Sequence, residues 1–378
     1  MGDGSKPKKK KNKILLFVLL LVVIIAITLL VIMLLPSQTP LSGLFGTRQP
    51  VFTVNELNFS VGRDRVFSHA DGFVAAAGSL GLQVIAPDGR ETLREPFQMS
   101  EPAITEAGGY FIAFDIGGSA VRVFNNSQIL STIEAEGDVV SASINSNGWF
   151  CIVTQERGGS RGIVTVYNNN GTEVLRAFVR LGFAVTARIS PDNRSLAILS
   201  LTDTGSRISF YHGFDEDKDP DYLFDLSGEL IIDIKYLSNT EILAISTDSL
   251  IIVDHTGNGR ELFTFADKRL GAYIFGTEFA ALHLYDYGIG YSGRVVTLSY
   301  DGTAIGELGL TRDIISMSQF ARSLTVLSSD GLTFYDMNLE QSYTTDEGFF
   351  AANRVLALTE NVVLTTSDHS ASLVYRMH

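Results

Sequence analysis

Residues 163–200 read IVTVYNNNGTEVLRAFVRLGFAVTARISPDNRSLAILS, and this stretch decides the fold. Apolar side chains recur in four short runs, and in most of these they alternate with polar ones, which is typical of half-buried β-strands. Turn residues separate the runs, first Asn168 to Gly171 and then Ser190 to Asn193. The last run, Leu196 to Leu199, is apolar throughout, as in a strand covered on both faces. The stretch therefore predicts strand, tight turn, strand, short link, strand, tight turn and strand.

The same unit recurs along the rest of the chain. Eight triplets of strand-forming residues each lead into a polar turn, and their third residues lie 39, 43, 44, 43, 45, 36 and 41 positions apart. A period near 40 with four short strands per unit predicts an all-β fold, the β-propeller. No helical stripe of three turns follows residue 36, which excludes helical-repeat solenoids of similar period. The triplets are residues 82–84, 121–123, 164–166, 208–210, 251–253, 296–298, 332–334 and 373–375.

The eight triplets imply eight blades, of which the last is short of one strand because the chain stops at His378 soon after its triplet. Val51 to Leu57 reads as a strand that has no blade of its own. We therefore expect residues 51–59 to supply the outer strand of the last blade, which protects an open sheet edge and closes the ring. A seven-bladed ring, with residues 51–100 partly outside it, is the alternative. The expected blades are residues 61–100, 101–137, 138–182, 183–228, 229–269, 270–310, 311–347 and 348–378.

An uncharged apolar run precedes the repeats. Residues 14–35 contain no charged side chain and only Thr28 as a polar one. At the helical rise this run spans roughly 33 Å, which matches the hydrocarbon core of a bilayer. A cleaved signal peptide, the alternative, has an apolar region of about 7–15 residues that ends in small residues. Because this run is longer and ends in Met33 to Pro36, we predict an uncleaved signal anchor.

Lysines before the apolar run set the predicted orientation. Residues 5–13 hold six lysines, and the positive-inside rule places such a flank in the cytoplasm. We therefore expect a single-pass protein of the cell membrane with its propeller outside the cell. The expected divisions are a cytoplasmic basic tail at residues 1–13, a transmembrane helix at 14–36, a Pro-, Gly- and Ser-rich linker at 37–50 and the extracytoplasmic propeller at 51–378.

The rest of the chain is strongly acidic. The chain has 29 basic and 42 acidic residues, and residues 1–13 hold six of the basic and one of the acidic ones. The remaining chain therefore has 23 basic and 41 acidic residues and a net charge of −18. No nucleic-acid partner is expected, since phosphate contacts need a basic face. Cys151 is the only cysteine, so no disulfide can form within the chain. We expect Cys151 to be a buried structural thiol.

One turn carries a resemblance to known propellers. Ser190 to Ala197, SPDNRSLA, resembles the Ser-Pro-Asp-Gly turn of WD40-like and TolB-like bacterial propellers, and residues 87–89 and 300–302 are similar turns. Asn193 replaces the usual glycine, and asparagine tolerates the left-handed conformation. The Trp-Asp dipeptide of true WD40 repeats is absent. Residues 51–378 as a whole resemble a membrane-anchored propeller family of Gram-positive bacteria, which implies the fold and the location but no particular activity.

Two glycine-rich motifs match catalytic or cofactor patterns in residue type and spacing but not in their predicted structural context. Residues 158–162 match the Gly-x-Ser-x-Gly of serine hydrolases, and residues 288–293 match the dinucleotide fingerprint. Both chemistries need a helix after the glycines. A strand pattern follows each motif here, so we interpret both as loops between strands.

Phe214 to Asp225 is the most acidic stretch. Four aspartates in it follow the spacing D-x-D-x-D-x-x-x-D, which resembles the calcium loops of integrin-type propellers and would offer a hard cation several oxygens. The match departs where Tyr222 replaces the expected glycine and where Pro220 stiffens the turn. A solvated acidic loop is the favoured interpretation, with calcium as the alternative and no other cofactor expected. The four candidates are Asp217, Asp219, Asp221 and Asp225.

The histidines give no sign of a reactive or metal centre. None forms a closely spaced His-x-x-x-His pair, so spacing supports neither a zinc site nor a general base. His212 and His255 occupy matching positions after their triplets and are expected to be turn residues that repeat with the blade.

The favoured function is a membrane-tethered binding or scaffold module whose loops bind a protein or an envelope polymer. No catalytic constellation can be placed from spacing, so we do not expect an enzyme. The alternative is an enzyme that acts on a glycan or a small ester in the central channel, which would need carboxylates or histidines from several blades to converge. Signal transduction is a third reading, and the 13-residue cytoplasmic tail would then require a partner in the membrane.

Overall fold

The computed structural model describes residues 51–155, 162–215, 219–286, 293–310, 313–345, 351–368 and 370–377. Within these ranges the chain forms 32 β-strands in eight four-stranded sheets. A helix long and apolar enough to cross a membrane does not occur in the same ranges. The basic tail, the apolar run 14–35 and the linker lie outside the described residues, so the transmembrane helix stays a prediction.

Each sheet is one blade of a propeller, and seven of the eight are built from four consecutive strands. Blade 1 consists of β2 (Val66–Ala70), β3 (Phe73–Gly78), β4 (Gly81–Ile85) and β5 (Glu91–Pro96), and blade 2 of β6 (Pro102–Ala107), β7 (Tyr110–Asp115), β8 (Ala120–Phe124) and β9 (Ile129–Glu134). Blade 3 consists of β10 (Asp138–Ile144), β11 (Phe150–Gln155), β12 (Gly162–Tyr167) and β13 (Glu173–Val179). Blade 4 consists of β14 (Phe183–Ile189), β15 (Ser195–Thr202), β16 (Gly205–His212) and β17 (Tyr222–Ser227).

The second half of the ring follows the same plan until its last blade. Blade 5 consists of β18 (Ile231–Tyr236), β19 (Glu241–Ser246), β20 (Ser249–Asp254) and β21 (Gly259–Thr264), and blade 6 of β22 (Lys268–Phe275), β23 (Phe279–Asp286), β24 (Gly293–Ser299) and β25 (Ala304–Leu310). Blade 7 consists of β26 (Ile314–Phe320), β27 (Ser323–Ser328), β28 (Gly331–Asp336) and β29 (Gln341–Thr345). Blade 8 consists of β30 (Arg354–Thr359), β31 (Val362–Thr366), β32 (Ala371–Met377) and β1 (Val51–Leu57).

The eight-bladed ring closed by an N-terminal strand is confirmed, and the seven-bladed alternative is wrong. β1 lies beside β32 at the outer edge of blade 8. All eight triplets fall in the third strand of a blade. One expected boundary is misplaced, because β22 begins at Lys268 whereas the expected start of blade 6 is residue 270. The charged pair Lys268-Arg269 reads as a link in the sequence, although it begins a strand.

The first strand of each blade lies innermost, because the most extensive backbone contacts between neighbouring blades involve a first strand. We call the end of the ring where the first strands begin the upper face, and the end where they finish the lower face. The links between blades and the turns between second and third strands lie on the upper face. The turns between first and second strands, and between third and fourth strands, lie on the lower face.

The core is divided into apolar clusters that each join two neighbouring blades. The cluster between blades 1 and 2 contains Phe111 and Phe124, which are fully buried with ring centroids 5.3 Å apart. The cluster between blades 8 and 1 contains Leu57, Phe67 and Leu373, so the seam is packed like the other blade interfaces. Burial of apolar surface between blades therefore stabilises the ring as a whole.

Inner strands carry a repeated irregularity at their upper ends. In β10, β14, β18, β22 and β26 the pairing register shifts by one residue near the start of the strand. Such β-bulges turn the extra residue away from the ladder and increase the local twist. Ile232 and Ile315 are two of these extra residues, and both side chains are exposed. The bulges therefore bring apolar side chains to the upper end of the channel.

Side chains on several inner strands also bond to the backbone of the next blade. Ser143 Oγ donates to the carbonyl of Ala187 at 2.7 Å, and Lys235 Nζ donates to the carbonyl of Phe275 at 2.8 Å. Each bond gives a backbone oxygen on the neighbouring inner strand a partner it would otherwise need from water. These bonds join neighbouring blades in addition to the apolar clusters.

The turn that carries the family resemblance has the expected geometry. Asn193 has a φ of 59°, and its N–H donates to the carbonyl of Ser190 at 3.0 Å. Asparagine is one of the few non-glycine residues that adopts this left-handed conformation readily. The replacement of glycine by Asn193 therefore leaves the turn intact, as predicted.

Candidate functional site

The acidic stretch of the predicted calcium loop is described only in part. Asp217 lies outside the described residues. Asp225 accepts two hydrogen bonds from Arg207, at 2.6 and 2.9 Å, and Asp219 lies 3.4 Å from Arg180. No three His, Cys, Asp or Glu side chains in the described ranges are placed to hold a metal ion together. Calcium binding stays a prediction, and two of its four aspartates are paired with arginine.

His212 is the last residue of β16 and His255 lies in the turn after β20, so the expectation that both are turn residues is wrong for His212. Their rings lie 5.2 Å apart, and Nε2 of His212 is 3.0 Å from the carbonyl oxygen of His255. Nδ1 of His212 is 3.0 Å from Oγ of Ser195, and Asp221 accepts a hydrogen bond from the backbone N–H of His212 at 2.6 Å. The arrangement connects the lower turns of blades 4 and 5.

The two glycine motifs lie between strands. Residues 156–161 and 287–292 lie outside the described residues, but each gap joins two antiparallel strands of one blade. A nucleophile elbow and a dinucleotide fingerprint both need a helix at this point. The strands on either side of each gap pair directly, and the interpretation of both motifs as loops stays a prediction.

Cys151 is a buried thiol in the core between blades 3 and 4. Its Sγ lies 3.2 Å from Oγ of Ser143, and burial raises its pKa to about 11. We expect iodoacetamide at neutral pH to alkylate Cys151 at least about 100-fold more slowly in the folded chain than in urea, because only the accessible thiolate reacts. Mass spectrometry of timed samples measures both rates. Equal rates would contradict the burial of this thiol.

The inner strands of blades 4 to 6 carry a polar network. Asp233 lies 3.0 Å from Nη2 of Arg188 and accepts a hydrogen bond from the hydroxyl of Tyr273 at 3.4 Å. Burial, reinforced by the Asp233 carboxylate, raises the pKa of Tyr273, and burial lowers the pKa of Lys235 on the same strand as Asp233. Glycoside hydrolysis needs two carboxyl groups. This network offers one, held by a cation, and we interpret it as a connection between blades.

Upper-face turns are fixed by hydrogen bonds to the links between blades. The N–H of Leu80 donates to the carbonyl of Val61, and the N–H of Ile116 donates to the carbonyl of Glu101, each at 2.9 Å. In blade 5 the carbonyl of Leu230 accepts from the N–H of the turn residue Thr247, also at 2.9 Å. Turn and link therefore form one surface in these blades.

Exposed apolar side chains are concentrated on this surface. The described ranges contain twelve exposed large apolar residues, and seven of them lie in upper-face turns, in links or at the starts of first strands. More than half of these exposed residues therefore share one end of the ring, which makes this end a candidate interaction surface. We call these seven the upper apolar surface: Leu80, Ile116, Leu181, Phe183, Leu230, Ile232 and Ile315.

Negative charge accompanies the upper apolar surface. Asp64 and Glu101 lie in links, Asp203 lies in the turn between β15 and β16, and all three are exposed. These positions agree with the net charge of −18 outside the basic tail. The surface therefore combines apolar side chains with carboxylates.

A cavity of about 840 Å³ opens at the lower face, at the mouth of the channel. Residues from blades 1, 2, 6, 7 and 8 line it, many of them near the lower ends of the inner strands or in the lower turns. We call it the mouth cavity. Its apolar wall is formed by Phe320, Leu358, Val362, Leu373 and Tyr375.

The opposite wall of the mouth cavity is polar and acidic. It contains His69 on β2, Asp71 in the turn after β2, and Glu106 on β6. Oε1 of Glu106 accepts a hydrogen bond from the N–H of Gly109 at 3.1 Å. Burial raises the pKa of Glu106, the nearby Asp71 carboxylate raises it further, and burial lowers the pKa of His69. None of these three residues stands out in the sequence as a site residue.

Comparison with known proteins identifies the family and the fold. A family model described as a family of unknown function, DUF5711, matches residues 71–346. That range runs from the first turn of blade 1 to the end of blade 7. No curated protein matches the chain.

Similar solved structures share the fold at low sequence identity. The C-terminal WD40 domain of Sif2 has a TM-score of 0.60 at 16% identity and covers 86% of this chain and 99% of its own. BamB from Moraxella catarrhalis has a TM-score of 0.53 at 14% identity, with coverages of 86% and 100%. Sqt1 from Chaetomium thermophilum, solved bound to the N-terminus of a ribosomal protein, has a TM-score of 0.54 at 12% identity, with coverages of 81% and 93%. The resemblance to WD40-like propellers is confirmed for the fold.

Proposed function

Because the chain belongs to the DUF5711 family of unknown function, whose description names no activity, we propose a function from its surface: the propeller is a protein-binding module. Its upper apolar surface binds the partner, and the N-terminal apolar run tethers it to the outer side of a cell membrane. The tether rests on residues 14–35 and the six lysines before them.

One observation carries the proposal, namely the position of the exposed apolar residues. Leu181 and Leu80 are 64% and 60% exposed, which is costly in water unless a partner covers them. Bulges in two inner strands place Ile232 and Ile315 on the same face. The solved complex of Sqt1 with a ribosomal segment supports the idea that a propeller of this general shape binds a protein.

Charge defines the partner segment. Asp64, Glu101 and Asp203 add exposed negative charge to the links and turns of this face, and complementary interfaces bring opposite charges together. We therefore propose a partner segment in which apolar residues are flanked by lysine or arginine.

Site-specific crosslinking in membranes tests the proposal. A photoreactive amino acid at Leu181 or Ile232 should crosslink to one protein in stoichiometric yield, and the crosslinked peptide should contain apolar residues beside basic ones. Leu223 is a matched control, because it is 44% exposed but lies on the outer strand β17. Crosslinks of equal yield from Leu223 would contradict the proposal.

Affinity measured with the purified partner completes the test. The double variant Leu181→Ser, Ile232→Ser should weaken binding at least about tenfold, because truncation of buried apolar anchors costs about 1.4 kcal/mol or more. Leu223→Ser should bind like the unchanged chain. An unchanged dissociation constant in the double variant would assign binding to another surface.

The mouth cavity favours a second candidate, the glycan- or ester-acting enzyme. It brings Asp71 and Glu106 to one cavity, and a carboxyl group with a raised pKa is suited to act as a general acid. Turnover of chromogenic glycosides or esters that is lost in Glu106→Gln would support this candidate over the binding module.

A further inference from the structure

We propose that the mouth cavity is a binding site for a small amphiphilic amine, a molecule with an apolar body and one protonated amino group. The site lies on the lower face, so it is independent of the partner proposed for the upper apolar surface.

The size of the mouth cavity suits a small molecule. Its volume of about 840 Å³ lies within the range of about 300–1,000 Å³ that is usual for ligand pockets. Five blades contribute to its lining, from Pro87 in blade 1 to Thr277 in blade 6. A ligand here would therefore contact several blades at once.

The apolar wall would hold the body of the ligand. Leu358 and Leu373 are buried side chains of blade 8, and Phe320 of blade 7 is 36% exposed although it is a large aromatic residue. Val362 and Tyr375 complete this wall. Covering such a surface with an apolar ligand removes it from water, which favours binding.

Two carboxylates would hold the amino group. The side chain of Asp71 is exposed. Its Oδ2 atom would lie 3.6 Å from a Cβ atom placed on Gly109, so the first turns of blades 1 and 2 are close neighbours. Glu106 lies beside Gly109 and accepts its N–H. The two carboxylates therefore face one end of the cavity from adjacent blades.

The described lining offers these carboxylates no counter-charge. It contains no lysine or arginine, and His69 is the one other ionisable group beside them apart from the phenol of Tyr375. Burial lowers the pKa of His69, which favours the neutral form of its imidazole. An ammonium group would supply the missing charge, whereas a carboxylate ligand would be repelled and a neutral ligand would leave the pair uncompensated.

Calorimetry with three matched probes tests the charge requirement. The full chain in lipid nanodiscs is titrated with 4-phenylbutylamine, 4-phenylbutanol and 4-phenylbutyrate, with empty nanodiscs as the blank. We expect the amine to bind at least about tenfold more tightly than the alcohol, and the acid not to bind. Equal affinity for amine and alcohol would overturn the proposal.

Variants test the location. Asp71→Asn combined with Glu106→Gln should remove the preference for the amine, and both replacements keep the local fold because asparagine tolerates the φ of 51° at position 71. Thr359→Trp should block all binding, since Thr359 is an exposed residue of the lining. Glu261→Gln on the outer strand β21 is the matched control, because Glu261 is exposed and belongs to neither proposed site, and it should bind like the unchanged chain. Unchanged amine binding in both the double variant and Thr359→Trp would place the ligand elsewhere and overturn the proposal.

Discussion

Replacing residues 52–58 with a Gly/Ser segment of equal length should lower the free energy of unfolding by about 3 kcal/mol or more. The change removes the outer strand of blade 8, so β32 loses its neighbour and its backbone groups lose their partners. It also removes Phe52, whose ring lies 5.0 Å from that of Tyr343 in blade 7, and Leu57, which is buried in the seam. Urea unfolding, followed by the fluorescence of Trp149, measures the effect.

The same replacement in the predicted linker, at residues 42–48, is the matched control and should leave the unfolding midpoint unchanged. A peptide of residues 51–58 added to the first variant should restore part of the lost stability, because ring closure needs the strand but not its covalent connection. If the first variant unfolds at the same urea concentration as the unchanged chain, β1 does not hold the ring together.

Phe111→Ala should lower the free energy of unfolding by about 3–5 kcal/mol. Phe111 and Phe124 are both fully buried and stacked between blades 1 and 2, so the change leaves a cavity that neighbouring side chains fill only in part. The expected loss is a large fraction of the stability of a typical domain. Urea unfolding of the purified chain measures it.

Phe178→Ala is the matched control, because Phe178 is 45% exposed on the outer strand β13 and should change stability by no more than about 0.5 kcal/mol. Phe111→Leu keeps most of the volume and should cost less than Phe111→Ala. Equal stability of the two alanine variants would contradict the packing between blades 1 and 2.

The blade count could be predicted because the third strands are the most regular part of the sequence. Val164 and Val166 are fully buried, and even Thr165 between them is 7% exposed. A strand covered by neighbours on both faces selects β-branched and aromatic residues at successive positions. The triplets therefore stand out from the half-buried strands around them, and their spacing reports the blades.

The upper apolar surface could not be predicted, because it depends on register. Ile231-Ile232 and Ile314-Ile315 are doublets that break the alternation of a half-buried strand, and only the pairing partner decides which member leaves the ladder. In the structure Ile231 is 2% exposed and Ile232 is 42% exposed. Such a doublet at the start of a first strand is a signal for a β-bulge with one exposed apolar side chain, and it can be sought in related sequences.

The mouth cavity also could not be predicted from the sequence. Asp71 and Phe320 are far apart in the chain and share a cavity only because the ring curves blade 7 back toward blade 1. The acidic stretch shows the opposite difficulty. Its spacing suggested four equivalent ligands, whereas Asp225 lies on a strand and is paired with Arg207 by cross-strand register.

The composition of blade 8 sets an order of events during synthesis. Seven sheets need only neighbouring strands and can form as soon as those strands have left the ribosome, whereas β1 must wait for β32, more than 300 residues later. At about 5–20 residues per second the delay is roughly 15–65 s. Throughout that interval the first strand to emerge carries an open edge, which could pair with another nascent chain. If synthesis stops before β32, the truncated product keeps β1 with its edge unpaired.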